Sequence, residues 1–168
     1  MRKIAENRYR AEVGRYFEDF SVGDIYEHRP GRTITEADNI QFSLLTMNPH
    51  PAHCDAHYAA KTEFGKPLVN STLTLAIVAG MSVSEISGRA VANLGWEKIE
   101  LTAPVFPGDT LYAESEVLEL RASKSRPGQG IVTVRTTGRK QDGTVFLTFV
   151  RSALVHSRET AAEVDSNY

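Results

Sequence analysis

The stretch from Ser71 to Ile86 constrains the fold more than any other part of the chain. Leu73, Leu75, Ala76, Ile77, Val78, Met81, Val83 and Ile86 fall on more than one face of a helix. A helix that is apolar nearly all round needs other elements to cover it. Its most apolar part, Leu73 to Met81, is far shorter than the roughly 20 residues that span a bilayer. The cover must therefore be protein. Gly88 ends the run.

After Gly88 the sequence changes character. Val91 to Leu101, Thr110 to Leu120, Ile131 to Arg139 and Val145 to Val155 are rich in β-branched and aromatic residues. Gly108-Asp109, Pro127-Gly128 and Asp142-Gly143 separate them as turns, and the last pair is a good hairpin signal. One buried helix followed by antiparallel strands predicts an α+β domain whose curved sheet wraps a central helix, Ser71 to about Ile86. Such a sheet has open edges, and pairing two of them across a homodimer is a physical remedy.

Upstream, a short strand is expected at Ile25 to His28, a break at Arg29-Pro30-Gly31, and extended chain again at Arg32 to Ile34. Thr35 reads as a helix N-cap, with Asp38 completing a variant of the capping box. Ala37, Ile40, Leu44 and Leu45 then predict an amphipathic helix to about Thr46. Pro49 and Pro51 end it, and a second short helix is expected from Asp55 to Phe64, closed by Gly65 and Pro67. No repeat or flexible linker divides the chain, so residues 15–156 read as one domain. Residues 1–14 and 157–168 read as loose polar tails.

Composition narrows the function classes. A formal net charge of −2 over 168 residues gives no reason to expect nucleic acid or an anionic membrane as partner. Cys54 is the only cysteine, so neither an intrachain disulfide nor a cysteine-based zinc site can form. The N-terminus has no apolar run of signal-peptide length, and a cytoplasmic location is expected.

Chemistry concentrates in Leu45-Thr46-Met47-Asn48-Pro49-His50-Pro51-Ala52-His53-Cys54-Asp55. Two histidines, an asparagine and a carboxylate share one loop stiffened by proline. Histidine suits proton transfer near neutral pH. Spacing alone also fits a polar connecting loop with incidental histidines. His50, His53, Asp55 and His57 are of metal-ligand type, but two prolines intervene and no zinc spacing appears, so no metal site is expected. His57 and His28 read as partly exposed surface residues, and Trp96 and Phe106 as packing residues. Arg121, Lys124 and Arg126 read as a solvated hairpin loop, with contact to CoA phosphates as the alternative.

Thr46 to Asp55, followed by Phe64-Gly65-Lys66-Pro67-Leu68-Val69-Asn70-Ser71, resembles the signature of the MaoC-like (R)-specific enoyl-CoA hydratases, which have a hot-dog fold. Tyr16-Phe17-Glu18-Asp19-Phe20-Ser21-Val22-Gly23-Asp24 resembles the family's opening. Ala103-Pro104-Val105-Phe106-Pro107-Gly108-Asp109-Thr110-Leu111 resembles its later strand turn, so matches run from about Tyr16 to Val155. The family's catalytic aspartate falls on Asn48, which cannot act as a base, and His50 stands where asparagine is usual. His53 matches a catalytic position outright. Asn48-x-His50-Pro51-x-His53 with Val69-Asn70-Ser71 resembles the branch of mesaconyl-CoA and itaconyl-CoA hydratases.

The resemblance implies a hydro-lyase acting on an α,β-unsaturated acyl-CoA thioester, with a five-carbon dicarboxylic acyl group as the leading candidate. Coenzyme A is then part of the substrate, and no separate cofactor is expected. Dimers, or larger assemblies of dimers, are implied as well. His53 is the expected proton acceptor for water, with Asn48 holding that water through its amide oxygen. Backbone N–H groups near Ser71, where the buried helix starts, are expected to hold the thioester oxygen as it gains charge. The Asn70-Ser71 pair also reads as a plain helix cap. His50 and Asp55 both remain candidates for orienting His53 or for a second proton transfer. An acyl-CoA thioesterase and a non-catalytic acyl-CoA binding protein are the alternatives, the latter favoured by the loss of the aspartate.

Overall fold

A computed structural model of the chain describes residues 1–161. The hairpin β1 (Arg2–Ala5) and β2 (Arg8–Arg10) comes first and forms its own two-stranded sheet. Then follow β3 (Ile25–Thr33), α1 (Glu36–Leu45), the single-turn helices α2 (Pro51–Cys54) and α3 (Ala56–Ala59), and the central helix α4 (Ser71–Met81). A π-helical turn, Val83–Ser87, leads into β4 (Ala90–Leu101), β5 (Thr110–Ala122), β6 (Gln129–Lys140) and β7 (Val145–His156). A last turn of helix, α5 (Arg158–Ala161), follows. The five long strands pair antiparallel in the order β3-β5-β6-β7-β4. The sheet wraps α4, as the apolar run predicts, and this is the hot-dog fold that the resemblance implies.

Several local expectations change. The N-terminal segment is a hairpin rather than a loose tail. Of the C-terminal tail, Arg158–Ala161 is helical with Ala161 buried, and the remainder lies outside the described residues. The regular central helix stops at Met81, because the chain widens into the π turn that carries Ile86 into the core. The break at Arg29-Pro30-Gly31 is a register irregularity between His28 and Arg32 inside one strand. The second short helix is only α3, and Pro51, instead of merely ending a helix, occupies the first turn of α2, where its missing N–H costs no bond.

Helix α1 keeps its predicted start but not its predicted face. Thr35 and Asp38 form the capping box, with Asp38 accepting from the Thr35 N–H at 2.8 Å and Thr35 accepting from the Asp38 N–H at 3.1 Å. The Thr35 N–H, then the Thr35 hydroxyl and, more weakly, Arg32 hold the Asp38 carboxyl below its usual pKa against the effect of burial. The buried residues of α1 are Asn39 and Ser43, whereas Leu44 and Leu45 are 70% and 81% exposed. Polar residues go inward here because partners wait for them there, as described below. The leucines are left on the surface, while Phe42 of the same helix packs against the core.

Two apolar clusters fill the space between sheet and helix. One gathers Ile34, Leu73, Val78, Leu111, Phe146 and Phe149 around α4. The other gathers Phe20, Ile86, Val117, Val132 and Val155 around the π turn. A polar belt accompanies them on the inner face of the sheet. His28, expected at the surface, has no exposure at all. Its Nδ1–H donates to Glu85 Oε2 at 2.9 Å, and its Nε2 accepts from the Ser115 hydroxyl at 2.8 Å, which in turn pairs with Thr136 at 2.8 Å. Buried Arg151 donates to Ser82 Oγ at 2.9 Å, placing its cation at the C-cap of α4, where the helix dipole is negative. Trp96, expected to pack, is 42% exposed on β4, at the sheet edge.

Burial pushes the pKa of His28 below its ordinary 6.5, with Glu85 opposing and Arg151 and Arg29 adding to the shift. Below pH 6.5 the unfolded chain takes up a proton that the folded chain resists. The His28 contribution to stability is thus complete above that pH and is lost progressively as pH falls toward the lower folded value. Thermal unfolding between pH 7.5 and 5 is expected to give a falling Tm. In His28→Gln the Tm should start lower at pH 7.5 and decline less steeply. Equal slopes for the two proteins would remove His28 as the cause.

Candidate active site

A cleft of about 380 Å³ opens between the N-terminus of α4 and the segment that follows β4. Its lining includes His53, Phe64, Leu68, Ser71, Leu101 and Phe146, with Thr74 and Thr102 adding hydroxyl groups. The walls are otherwise apolar, the usual character of a small-molecule site with a few convergent polar groups.

His53 reaches the cleft from α2. Its Nδ1 lies 3.0 Å from the Leu68 carbonyl. A carbonyl only accepts, so Nδ1 carries the proton and the lone pair of the neutral ring resides on Nε2. That is the tautomer a base needs, and a backbone atom fixes it.

Ser71 is the first residue of α4 and lines the same cleft. Asn70 caps the helix, its Oδ1 accepting from the Thr72 N–H at 3.0 Å and from the Thr72 hydroxyl at 2.7 Å. The Leu73 and Thr74 N–H groups bond to the Asn70 carbonyl. Among the described residues the Ser71 N–H has no such acceptor. Capping and a free N–H at Ser71 therefore coexist, and the two readings of Asn70-Ser71 are compatible.

The remaining candidates sit around His53 in different ways. Asn48 is half-buried, is not among the cleft-lining residues, and its Oδ1 accepts from the His50 N–H at 3.1 Å. The second lone pair of that oxygen remains free to accept. His50 caps α2, its Nδ1 accepting from the Ala52 N–H at 3.2 Å, and its ring centre is 5.8 Å from that of His53. Asp55 caps α3 by accepting from the Tyr58 N–H at 2.9 Å. Of the two supporting candidates, His50 is thus the one brought beside His53, but the bond that orients His53 comes from Leu68. His57 is exposed, and Phe106 carries the Lys66 ammonium 4.2 Å from its ring centre. Among the described residues no group of three or more His, Cys, Asp or Glu side chains is arranged to hold a metal ion. No described helix is long and apolar enough to cross a membrane.

Sequence reasoning missed Asn39. It is buried in α1, and its Nδ2 donates to the carbonyls of His53 at 2.8 Å and Leu68 at 2.9 Å, while its Oδ1 accepts from the Asn70 N–H at 2.8 Å. Ser43, one turn on, accepts from Asn70 Nδ2 at 3.4 Å. The available signal was an Asn and a Ser spaced i, i+4 in mid-helix, where neither is favoured without a partner.

Comparison with known proteins identifies the family and the fold. The family described as mesaconyl-CoA hydratase matches residues 1–167. The mesaconyl-CoA hydratase of Cereibacter sphaeroides is 35% identical over 153 residues, which are 91% of this chain and 44% of that protein. The crystal structure of a MaoC domain protein dehydratase from Chloroflexus aurantiacus superposes with a TM-score of 0.84 at 33% identity, covering 90% of this chain and 43% of that one. A Mycobacterium tuberculosis protein described as having a double hot-dog fold superposes with a TM-score of 0.78 at 27% identity, covering 86% of this chain and 44% of that one. The chain thus spans less than half the length of these relatives, one hot-dog unit against their longer chains. It belongs to the mesaconyl-CoA hydratase family of MaoC-like hydratases and dehydratases.

Proposed function

We propose that the protein reversibly hydrates an α,β-unsaturated acyl-CoA thioester, and that its acyl group is a five-carbon dicarboxylic one of the mesaconyl type. The single observation that carries the reading is the pairing of His53, locked as the Nδ1–H tautomer, with the uncapped Ser71 N–H on one apolar cleft. In the hydration direction His53 Nε2 takes a proton from water as the water oxygen bonds to the β-carbon. The double-bond electrons move toward the thioester carbonyl, and the Ser71 N–H holds the oxygen as it becomes anionic. The low polarity of the walls strengthens that bond.

The enolate then takes a proton at its α-carbon. Asn48 has no proton to give as an acid, and Asp55 is engaged at the start of α3. His50 has its ring centre 5.8 Å from that of His53 but does not line the cleft, whereas the His53 imidazolium lines it and already holds the water's proton, so one residue serves both transfers. Hydrogen and hydroxyl then add to the same face of the double bond. Asn48 orients the water with the free lone pair of Oδ1. The described residues lining the cleft include no Asp or Glu, which favours hydration over a thioesterase reaction driven by a carboxylate.

Assembly belongs to the same proposal. Among the described residues β4 pairs only with β7 and its other edge is open, and Leu94, Trp96, Ile99 and Leu101 on it are exposed. Leu44, Leu45 and Met47 beyond α1 are exposed too. A second copy covers these residues in a homodimer, and because Leu101 also lines the cleft, the cleft lies beside the interface.

General acid–base groups contribute about 10²–10⁴-fold to rate. His53→Ala is expected to fold and to lose hydration of mesaconyl-CoA on that scale, followed as loss of the enoyl-thioester absorbance. Near-normal turnover in this variant would end the proposed mechanism. Asn48→Asp should keep substantial activity with a changed pH–rate profile, and complete loss would argue against a water-positioning role. Trp96→Glu or Ile99→Glu is expected to turn a dimer into a monomer at micromolar concentration in sedimentation velocity. A wild-type protein that sediments as an active monomer would exclude the assembly.

A further inference from the structure

Asn39 touches neither the cleft nor solvent, yet its side chain joins the three chain segments that build the site. Two of its partners are carbonyls and the third is an N–H, so only one orientation of the amide satisfies all three. The Leu68 carbonyl accepts from Asn39 Nδ2 at 2.9 Å and from His53 Nδ1 at 3.0 Å, which uses both of its lone pairs. The His53 carbonyl accepts from the same Nδ2 at 2.8 Å, so the backbone that carries the base is tied to the carbonyl that orients it. On the other side of the amide, Oδ1 holds the Asn70 N–H at 2.8 Å, one peptide before the Ser71 N–H. Ser43 adds a weaker contact to the Asn70 side chain at 3.4 Å, from the same face of α1.

We propose that Asn39 is a positioning residue that sets the distance and angle between the base and the oxyanion donor. It does so by making one planar amide the common anchor of both. Leu68 O cannot drift from His53 without losing Asn39, and Asn70 cannot drift from either without losing Oδ1. The kinetic part of this inference rests on the hydratase reading, and the geometric part does not.

A misplacement of about 1 Å in a catalytic geometry can cost on the order of 10²-fold in rate. Asn39→Leu removes all three bonds at similar volume, and Asn39→Asp keeps the acceptor for Asn70 but loses the amide donors. Both are expected to lower kcat for mesaconyl-CoA and for crotonyl-CoA by about 10²-fold while KM changes less than about threefold, since Asn39 does not meet the thioester. Ser43→Ala, which loses only the 3.4 Å contact, should stay within about threefold of wild type in kcat. Nitrogen NMR of the histidine rings supplies a second readout. His53 should be the Nδ1–H tautomer in wild type and a mixture of tautomers in the two Asn39 variants.

A merely structural Asn39 would lower the Tm of the variants and leave kcat and the His53 tautomer as in wild type, which overturns the proposal. Should Asn39→Leu fail to fold, Asn39→Asp carries the same measurements. If wild-type protein hydrates neither thioester, the proposed function fails, and the tautomer comparison still decides whether Asn39 positions His53.

Discussion

A helix placed beneath a sheet brings with it up to four backbone N–H groups that no residue of the helix can satisfy. In α4 the first two of those groups belong to exposed residues, Ser71 and Thr72, and the next two to buried ones, Leu73 and Thr74, and the surroundings of the cleft are organised as an answer to them. Asn70 covers Thr72 with its side chain and Leu73 and Thr74 with its carbonyl. The donor left over, Ser71, faces the cleft that also receives His53. Once Asn70 has to be held in that pose, its own N–H and side chain need buried partners, and Asn39 and Ser43 supply them from α1. The polar face of α1 thus turns inward, and its leucines turn outward. Leaving these groups unpaired would cost about 1–3 kcal/mol each, of the same order as the roughly 1.5–3 kcal/mol that burying each leucine would return.

The same logic explains the other polar layer. α4 ends on a negative dipole above the sheet, where Arg151 meets Ser82. The π turn after it sends Glu85 back to His28 and Ile86 into the second apolar cluster. Ser115 and Thr136 continue the chain of hydroxyls across β5 and β6, so that His28 is satisfied at both ring nitrogens. The C-cap of the central helix is therefore met by a cation, and its N-terminal N–H groups by neutral acceptors. The N-terminal set faces a cleft, and the C-terminal set is sealed.

The architecture was legible in the sequence because it depends on long patterns. An apolar run from Ser71 and four strands with punctuating turns leave few alternatives, and the strand limits hold to within one or two residues. The place of His53 on the cleft was legible because the motif singles it out. What sequence did not disclose are phases and partners. Ala37, Ile40, Leu44 and Leu45 have helical spacing, and hydrophobicity alone turns that face inward. The inward face is set instead by three bonds of Asn39, two of them to residues 14 and 29 positions away. His28 looked superficial because its partners, Glu85 and Ser115, lie 57 and 87 positions off. The orientation of His53 depends on a backbone carbonyl, which no residue type announces.

The exposed leucines of α1 and the open edge of β4 connect the site to assembly. An isologous pairing presents the same edge twice about a twofold axis, and two β4 strands placed antiparallel satisfy that symmetry without any new element. In the proposed dimer the N–H and carbonyl groups along β4 find partners, and Trp96, Ile99 and Leu101 leave water. Leu101 is then held between the interface and the cleft, so closure of the interface and shape of the cleft become one packing problem. In the proposed dimer Asn39, His53 and Ser71 recur in both copies by symmetry. The constraint that α4 imposes on its own N-terminus is then met twice in one assembly by a single sequence.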